Sequence, residues 1–186
     1  MRSLSLIPRL AALALVATLT ACATVERPFV PGPESTAQRP ADTPFAAAGR
    51  IAVNADGRGH YGNFEWQHRA ERDELSILSP VGSTVARLTR DDSGVALEAD
   101  GQTRRAPDVE TLTADALGYP LPLENLAWWI RGLAAPGVPV EKTADGIEQE
   151  GWRIRFIADD AGGPVPRRVE LARDGLSIKL VTHRWQ

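Results

Sequence analysis

From Phe45 onward, apolar and polar residues alternate with a period of two. Gly62, Phe64 and Trp66 fall on one face of an extended segment, with Asn63 and Glu65 on the other. Leu75 and Ile77, then Val95 and Leu97, repeat the pattern, as do Trp152, Ile154 and Phe156 against Arg153 and Arg155. Val169 and Leu171 precede Asp174-Gly175, and Leu176, Ile178 and Leu180 follow; Asp-Gly between two alternating runs signals a two-residue hairpin. Strands with one apolar face, separated by short turns, predict an antiparallel sheet. Two segments depart from that rhythm. Val109, Leu112, Ala116 and Leu117 recur at helical spacing, with Asp108 before them and Gly118 as a stop. Pro122 opens a second helix carrying Leu123, Leu126, Trp129 and Ile130, which Gly132 ends. Two amphipathic helices inside a strand-rich chain must lay their apolar stripes on the sheet. The expectation is a mainly β fold, a curved sheet under a helical lid that can enclose an apolar cavity.

The chain before Phe45 has a different composition. Arg2 and Arg9 flank a start that leads into the apolar run Leu10 to Leu19, followed by Thr20-Ala21-Cys22. That run is far shorter than the roughly 20 residues a bilayer span needs, so residues 1–21 are expected to be a signal peptide. A cysteine directly after small residues makes the site a lipobox, with Cys22 the expected lipidated N-terminus; a secretory signal with a chance cysteine is the alternative. Pro28, Pro31, Pro33, Pro40 and Pro44 make residues 22–44 an extended tether. Residues 45–186 form the folded domain, and the chain without its leader, about 165 residues, suits a single core.

Removing Arg2 and Arg9 moves the formal charge from −3 to −5. A mildly acidic domain carries no electrostatic footprint for nucleic acid or anionic headgroups. Cys22 is the single cysteine, so no disulfide is expected once it carries lipid. Gly57-Arg58-Gly59-His60-Tyr61-Gly62 spells a dinucleotide fingerprint, but a strand and not a helix follows it, so a glycine-rich hairpin turn is expected. His60, His68 and His183 lack ligand spacing, no G-x-S-x-G occurs, and the apolar strand faces are read as free of histidine and paired acids. No metal, cofactor or catalytic residue is expected. Ser79-Pro80-Val81-Gly82-Ser83-Thr84 reads as an ordinary turn, except that Val81 places an apolar side chain at its tip. Trp66 and Trp152 suit core and cavity wall equally. Adjacent Trp128 and Trp129 cannot both occupy the centre of one helical stripe, so one is expected at the rim.

The chain resembles the LolB family of outer-membrane lipoprotein receptors. The matching stretches are Gly49-Arg50-Ile51-Ala52-Val53, Phe64-Glu65-Trp66-Gln67, Ser79 to Thr84, Leu121-Pro122-Leu123 and Trp129-Ile130-Arg131-Gly132-Leu133. Gly151-Trp152 and Ile178-Lys179-Leu180 with Trp185 complete the set, in the family's order across nearly the whole domain. The resemblance implies an unclosed antiparallel β-barrel with a helical lid over an apolar cavity. It also implies a monomer that accepts acylated lipoprotein cargo from the periplasmic carrier LolA and inserts it into the outer membrane without ATP. Val81 stands where the family commonly has leucine in a protruding loop, which implies contact with outer-membrane lipid. Ala23, next to the lipidated position, points to the outer membrane as the site of anchoring, facing the periplasm. Candidates for contact with acyl chains are Trp66, Leu78, Leu126, Trp129, Ile130 and Trp152. An outer-membrane scaffold lipoprotein or a tethered lipid-binding protein are alternatives, and a tethered enzyme would need a polar site inside the cavity.

The lipobox yields a direct prediction. Cys22→Ser abolishes acylation and processing, read by palmitate labelling and intact mass, while the domain from about residue 44 folds on its own. A Cys22→Ser protein that is still acylated refutes the lipobox.

Overall fold

The computed structural model describes residues 26–30 and 43–186. The leader, Cys22 and most of the tether lie outside the described residues. Eleven strands pair in one antiparallel sheet: β1 (Phe45–Ala55), β2 (Arg58–Arg69), β3 (Arg72–Leu78), β4 (Thr84–Asp91), β5 (Gly94–Ala99), β6 (Gln102–Ala106), β7 (Glu141–Lys142), β8 (Gly146–Gln149), β9 (Trp152–Ile157), β10 (Arg168–Arg173) and β11 (Leu176–Trp185). Their order across the sheet is β6-β5-β4-β3-β2-β1-β11-β10-β9-β8-β7, so β6 and β7 are edges and the barrel is unclosed. Between β6 and β7 the chain forms α1 (Val109–Leu117) and α2 (Leu123–Trp129).

Local chemistry explains the meander. Asp56-Gly57, Asp100-Gly101, Glu150-Gly151 and Asp174-Gly175 each join neighbouring strands with both residues at positive φ. That is the two-residue turn whose twist matches the flanking strands. The glycine-rich segment is therefore not one turn: Gly57 turns, while Arg58 to Gly62 already belong to β2. Gly49 sits at a register shift between β1 and β11, where a Cβ would fall 2.0 Å from the Val181 carbonyl oxygen. Only glycine lets the strands approach that closely as the sheet curls.

Asp108 caps α1, its carboxylate accepting from the Thr111 N–H at 2.7 Å, and Gly118 ends the helix at φ +83. Both follow the expected signals. In α2, Leu123, Leu126 and Trp129 are buried and Trp128 is half-buried at the rim. Helix and strand side chains merge in one core, with Val109, Leu112, Leu126, Trp129 and Ile130 against Phe64, Trp66, Leu97, Trp152, Ile154 and Ile178. Trp129 packs on Trp152 with ring centroids 6.3 Å apart. Its indole N–H donates to the Gln149 side-chain oxygen at 2.9 Å, which also accepts from the Ala135 N–H. Arg131 is buried beside α2, its Nε donating to the Ala127 carbonyl and its guanidinium 4.7 Å from the Trp128 ring.

One polar cluster interrupts the inner face and corrects the expectation that this face lacks histidine and acid. His68 follows Phe64 and Trp66 in phase, and Asp73 starts β3 opposite it. The Asp73 carboxylate meets His68 Nδ1 at 2.7 Å and accepts from Trp66 Nε1 at 2.8 Å and Arg90 Nε at 2.8 Å. Phe45 stacks on both His68 and Trp185. Burial opposes the charge of Asp73, but hydrogen bonds from His68, Trp66 and Arg90 outweigh it and hold the carboxyl below its ordinary value. Such a depressed acid stabilises the fold above its unfolded pKa near 3.9, and the stability is lost as pH falls through the lower folded value.

Asp73→Ala is therefore expected to destabilise the domain by about 3–5 kcal/mol in urea unfolding, because it leaves buried donors and Arg90 without their acceptor. Asp73→Asn should flatten the dependence of stability on pH below about pH 4. An Ala variant with an unchanged urea midpoint refutes the cluster's structural role.

Candidate functional site

The inner face of β1 to β5 is not filled. Ile51 and Val53 from β1, Gly62 from β2, Leu75 and Ile77 from β3, and Ala86, Leu88 and Leu97 from β4 and β5 wall a cavity of about 450 Å³. Thr113 and Leu117 of α1, with Tyr119 and Leu121 from the α1–α2 connection, roof it. Strand alternation puts the aliphatic residues inward, and Gly62 keeps the wall thin where a Cβ would lie 2.5 Å from the Leu78 carbonyl oxygen. Burial among these apolar groups pushes the Tyr119 phenol above its ordinary value, as expected for a poorly hydrated wall. The Thr113 hydroxyl is satisfied locally, donating to the Val109 carbonyl and accepting from the Leu121 N–H, so it adds no free polar group to the roof.

The mouth of the cavity is mostly apolar, with His60 of β2 as its polar exception. Tyr61, Val85 and Leu117, which are 79%, 50% and 40% exposed, border it. Val85 occupies the extra position in β4 where Ile77 pairs with Ala86 but Leu78 pairs with Thr84, a bulge that turns its side chain to the rim. The adjoining β3–β4 turn supplies Pro80 to the cavity and carries Val81 at 89% exposure. The Gly82 N–H donates to the Ser79 carbonyl at 2.9 Å, the Ser79 N–H to the Ser83 carbonyl at 2.8 Å, and Gly82 takes φ +91. Gly82 absorbs the left-handed conformation, so Val81 stands unstrained at the tip of a three-residue loop.

The six residues expected to contact acyl chains lie elsewhere. Trp66, Leu126, Trp129, Ile130 and Trp152 are essentially fully buried in the core and line no part of this cavity. Leu78 is half-buried and alternates to the face opposite Ile77. The reason is that α2 fills the β8–β9 side with aromatic rings, leaving the space under α1. The sequence signal for the lining of this cavity was present in Ile51, Val53, Leu88 and Leu97, apolar at period two, but periodicity does not distinguish a packed face from an unpacked one. Tyr61 and Val85 had a clearer signal, large apolar side chains at the polar phase of their strands.

The Asp73 cluster lines no part of the cavity, and among the described residues no group of three or more His, Cys, Asp or Glu is arranged to hold a metal ion. No helix among them is long and apolar enough to cross a membrane.

The chain is similar to several known proteins. An outer-membrane lipoprotein LolB from Chromobacterium violaceum is 50% identical over 183 residues, covering 97% of this chain and 100% of that protein. One from Thiobacillus denitrificans is 40% identical over 186 residues, covering 96% and 97%. The crystal structure of a LolA superfamily protein from Nitrosomonas europaea aligns with a TM-score of 0.47 and 10% identity over 80% of this chain and 87% of that one. Residues 43–185, the whole sheet with its lid and cavity, match the family described as outer membrane lipoprotein LolB, and the chain belongs to that family.

Proposed function

We propose that the cavity under α1 receives the acyl chains of lipoprotein cargo from a LolA-type carrier and that the Val81 loop delivers them to the outer membrane. The family is a lipoprotein-localisation factor and not an enzyme. The observation that carries the finer reading is the continuity of the cavity wall with the exposed rim of Tyr61, Val85 and Leu117, next to the turn in which Pro80 lines the cavity and Val81 is exposed. Transfer of an acyl chain through water costs roughly 0.8 kcal/mol per exposed CH₂. A receiver therefore needs an apolar path from cavity to cavity and then to bilayer. No ATP is required when each successive site binds more favourably, since the difference alone drives transfer. The roof helix α1 packs chiefly on β5 and β6, so outward movement of α1 is the route by which the space would widen for further chains. Lipid on Cys22 anchors the protein to the outer membrane, facing the periplasm, and the β3–β4 loop only probes the bilayer. Burying one valine is worth roughly 1.5–3 kcal/mol, enough to bias docking and too little to anchor.

Two experiments test the reading. Ala86→Trp puts a large side chain into the cavity from a half-buried position of β4; displacing two methylenes of a ligand removes about 1.6 kcal/mol, more than tenfold in affinity. Uptake of a fluorescent fatty acid should fall by about that factor with circular dichroism unchanged, whereas unaltered uptake places the ligand elsewhere. Val81→Glu should leave fold and acceptance from the carrier intact while slowing release into liposomes, and Val81→Leu should be neutral or faster. Equal delivery by the Glu variant and the wild type returns the loop to an ordinary turn.

A further inference from the structure

The beginning of the described chain is docked, not free. Glu26 to Val30 run antiparallel along the end of β9, where Pro28 bridges Ile157. The Phe29 N–H donates to the Phe156 carbonyl at 2.9 Å, and the Ala158 N–H donates to the Arg27 carbonyl at 2.9 Å. β8 covers this edge of β9 only from Arg155 back to Trp152, and the Phe156 N–H reaches the Asp145 carbonyl just before β8 begins. The five residues thus continue the sheet edge where β8 is absent. Side chains reinforce the fit. The Phe29 ring occupies the place a Cβ on Gly132 would take, only 2.5 Å from that position, and Gly132 is at φ +77. Together with Leu133, Val140, Ile147 and Phe156, Phe29 borders a second apolar space of about 380 Å³. The Glu26 carboxylate pairs with Arg168 and lies 4.0 Å from Arg155, joining an outer-face group that includes Glu170, Asp145 and Lys179.

We propose that Glu26–Val30 is an intramolecular clip that gives the lipid anchor two leash lengths; the proposal rests on the reading of Cys22 as the acylated residue. With the clip docked, four residue steps separate Cys22 from the sheet edge, a reach of at most about 14 Å. With it undocked, 21 steps separate Cys22 from Thr43, where the folded domain begins, a reach of about 70 Å. The docked state holds the β9 edge, and with it the folded domain, close to the bilayer that receives cargo. The undocked state lets the domain reach into the periplasm to meet a carrier. The tether is thus divided by function, and Phe29 and Glu26 are the residues that set its effective length.

The test uses the full acylated protein in phospholipid vesicles, comparing the wild type with a doubly substituted variant, Glu26→Gln with Phe29→Gly. In hydrogen exchange, the Phe29 and Ala158 amides of the wild type should be protected at least tenfold over a free chain, and the variant should lose that protection while β10 and β11 keep theirs. A fluorophore on Asp115→Cys, an exposed position on α1, should report a longer and broader distance to the bilayer in the variant. Cargo delivery to the same vesicle should slow a few-fold while fatty-acid uptake by the cavity stays unchanged. Unprotected Phe29 and Ala158 amides in the wild type overturn the clip, and equal bilayer distances in both proteins overturn the leash. Absence of acyl groups on Cys22 overturns the anchor reading, and the leash with it, in a measurement separate from the exchange experiment.

Discussion

The seating of Trp129 decides how the rest of the molecule is arranged. The indole is wholly buried against Trp152, and Gln149 accepts its N–H while fixing the Ala135 backbone of the following loop with the same side chain. A buried indole N–H needs an acceptor, and Gln149 on the inner face of β8 provides it. That bond places α2 over the β8–β9 side of the sheet. Helices of nine and seven residues cannot cover the inner face of eleven strands. One side becomes a dry aromatic core, and the β1–β5 side keeps only α1 and a short connection above it. The cavity is what the off-centre lid leaves uncovered.

β3 shows how the two ends of that side are made different. Near its start stands Asp73, whose carboxylate gathers Trp66, His68 and Arg90 into a buried cluster under Phe45, and its end leads into the loop carrying Val81. The start of the strand is closed by charge-assisted hydrogen bonds that are strong because they are desolvated. Its other end is open and bordered by apolar side chains that water alone would not favour. Gly49, Gly62 and Gly146 each take a place where a Cβ would collide with a neighbouring carbonyl, and these close approaches allow a single sheet to curl around the cavity.

The sequence alone determined the elements and their chemistry. Alternation marked β2, β3, β5, β9, β10 and β11, Asp174-Gly175 marked the β10–β11 hairpin, Asp108 and Gly118 marked the ends of α1, and the ordered stretches from Gly49 to Trp185 pointed to the family. These are local signals, because periodicity, turn conformation and capping depend on residues within a few positions of one another. The apolar phase of a strand says only that a side chain points inward. It does not say whether another side chain meets it there. Trp66, Trp152 and Ile130 are enclosed by partners on every side, while Ile51, Leu88 and Leu97 pack on the core and also border the cavity, although their apolar phase reads the same way. His68 and Asp73 looked unrelated until the β2–β3 register set them opposite each other, and Pro28-Phe29 looked like tether until the missing length of β8 left an edge for them to pair with. Tertiary structure decided these points because each depends on how many residues from distant segments compete for one volume, a quantity that no local pattern encodes.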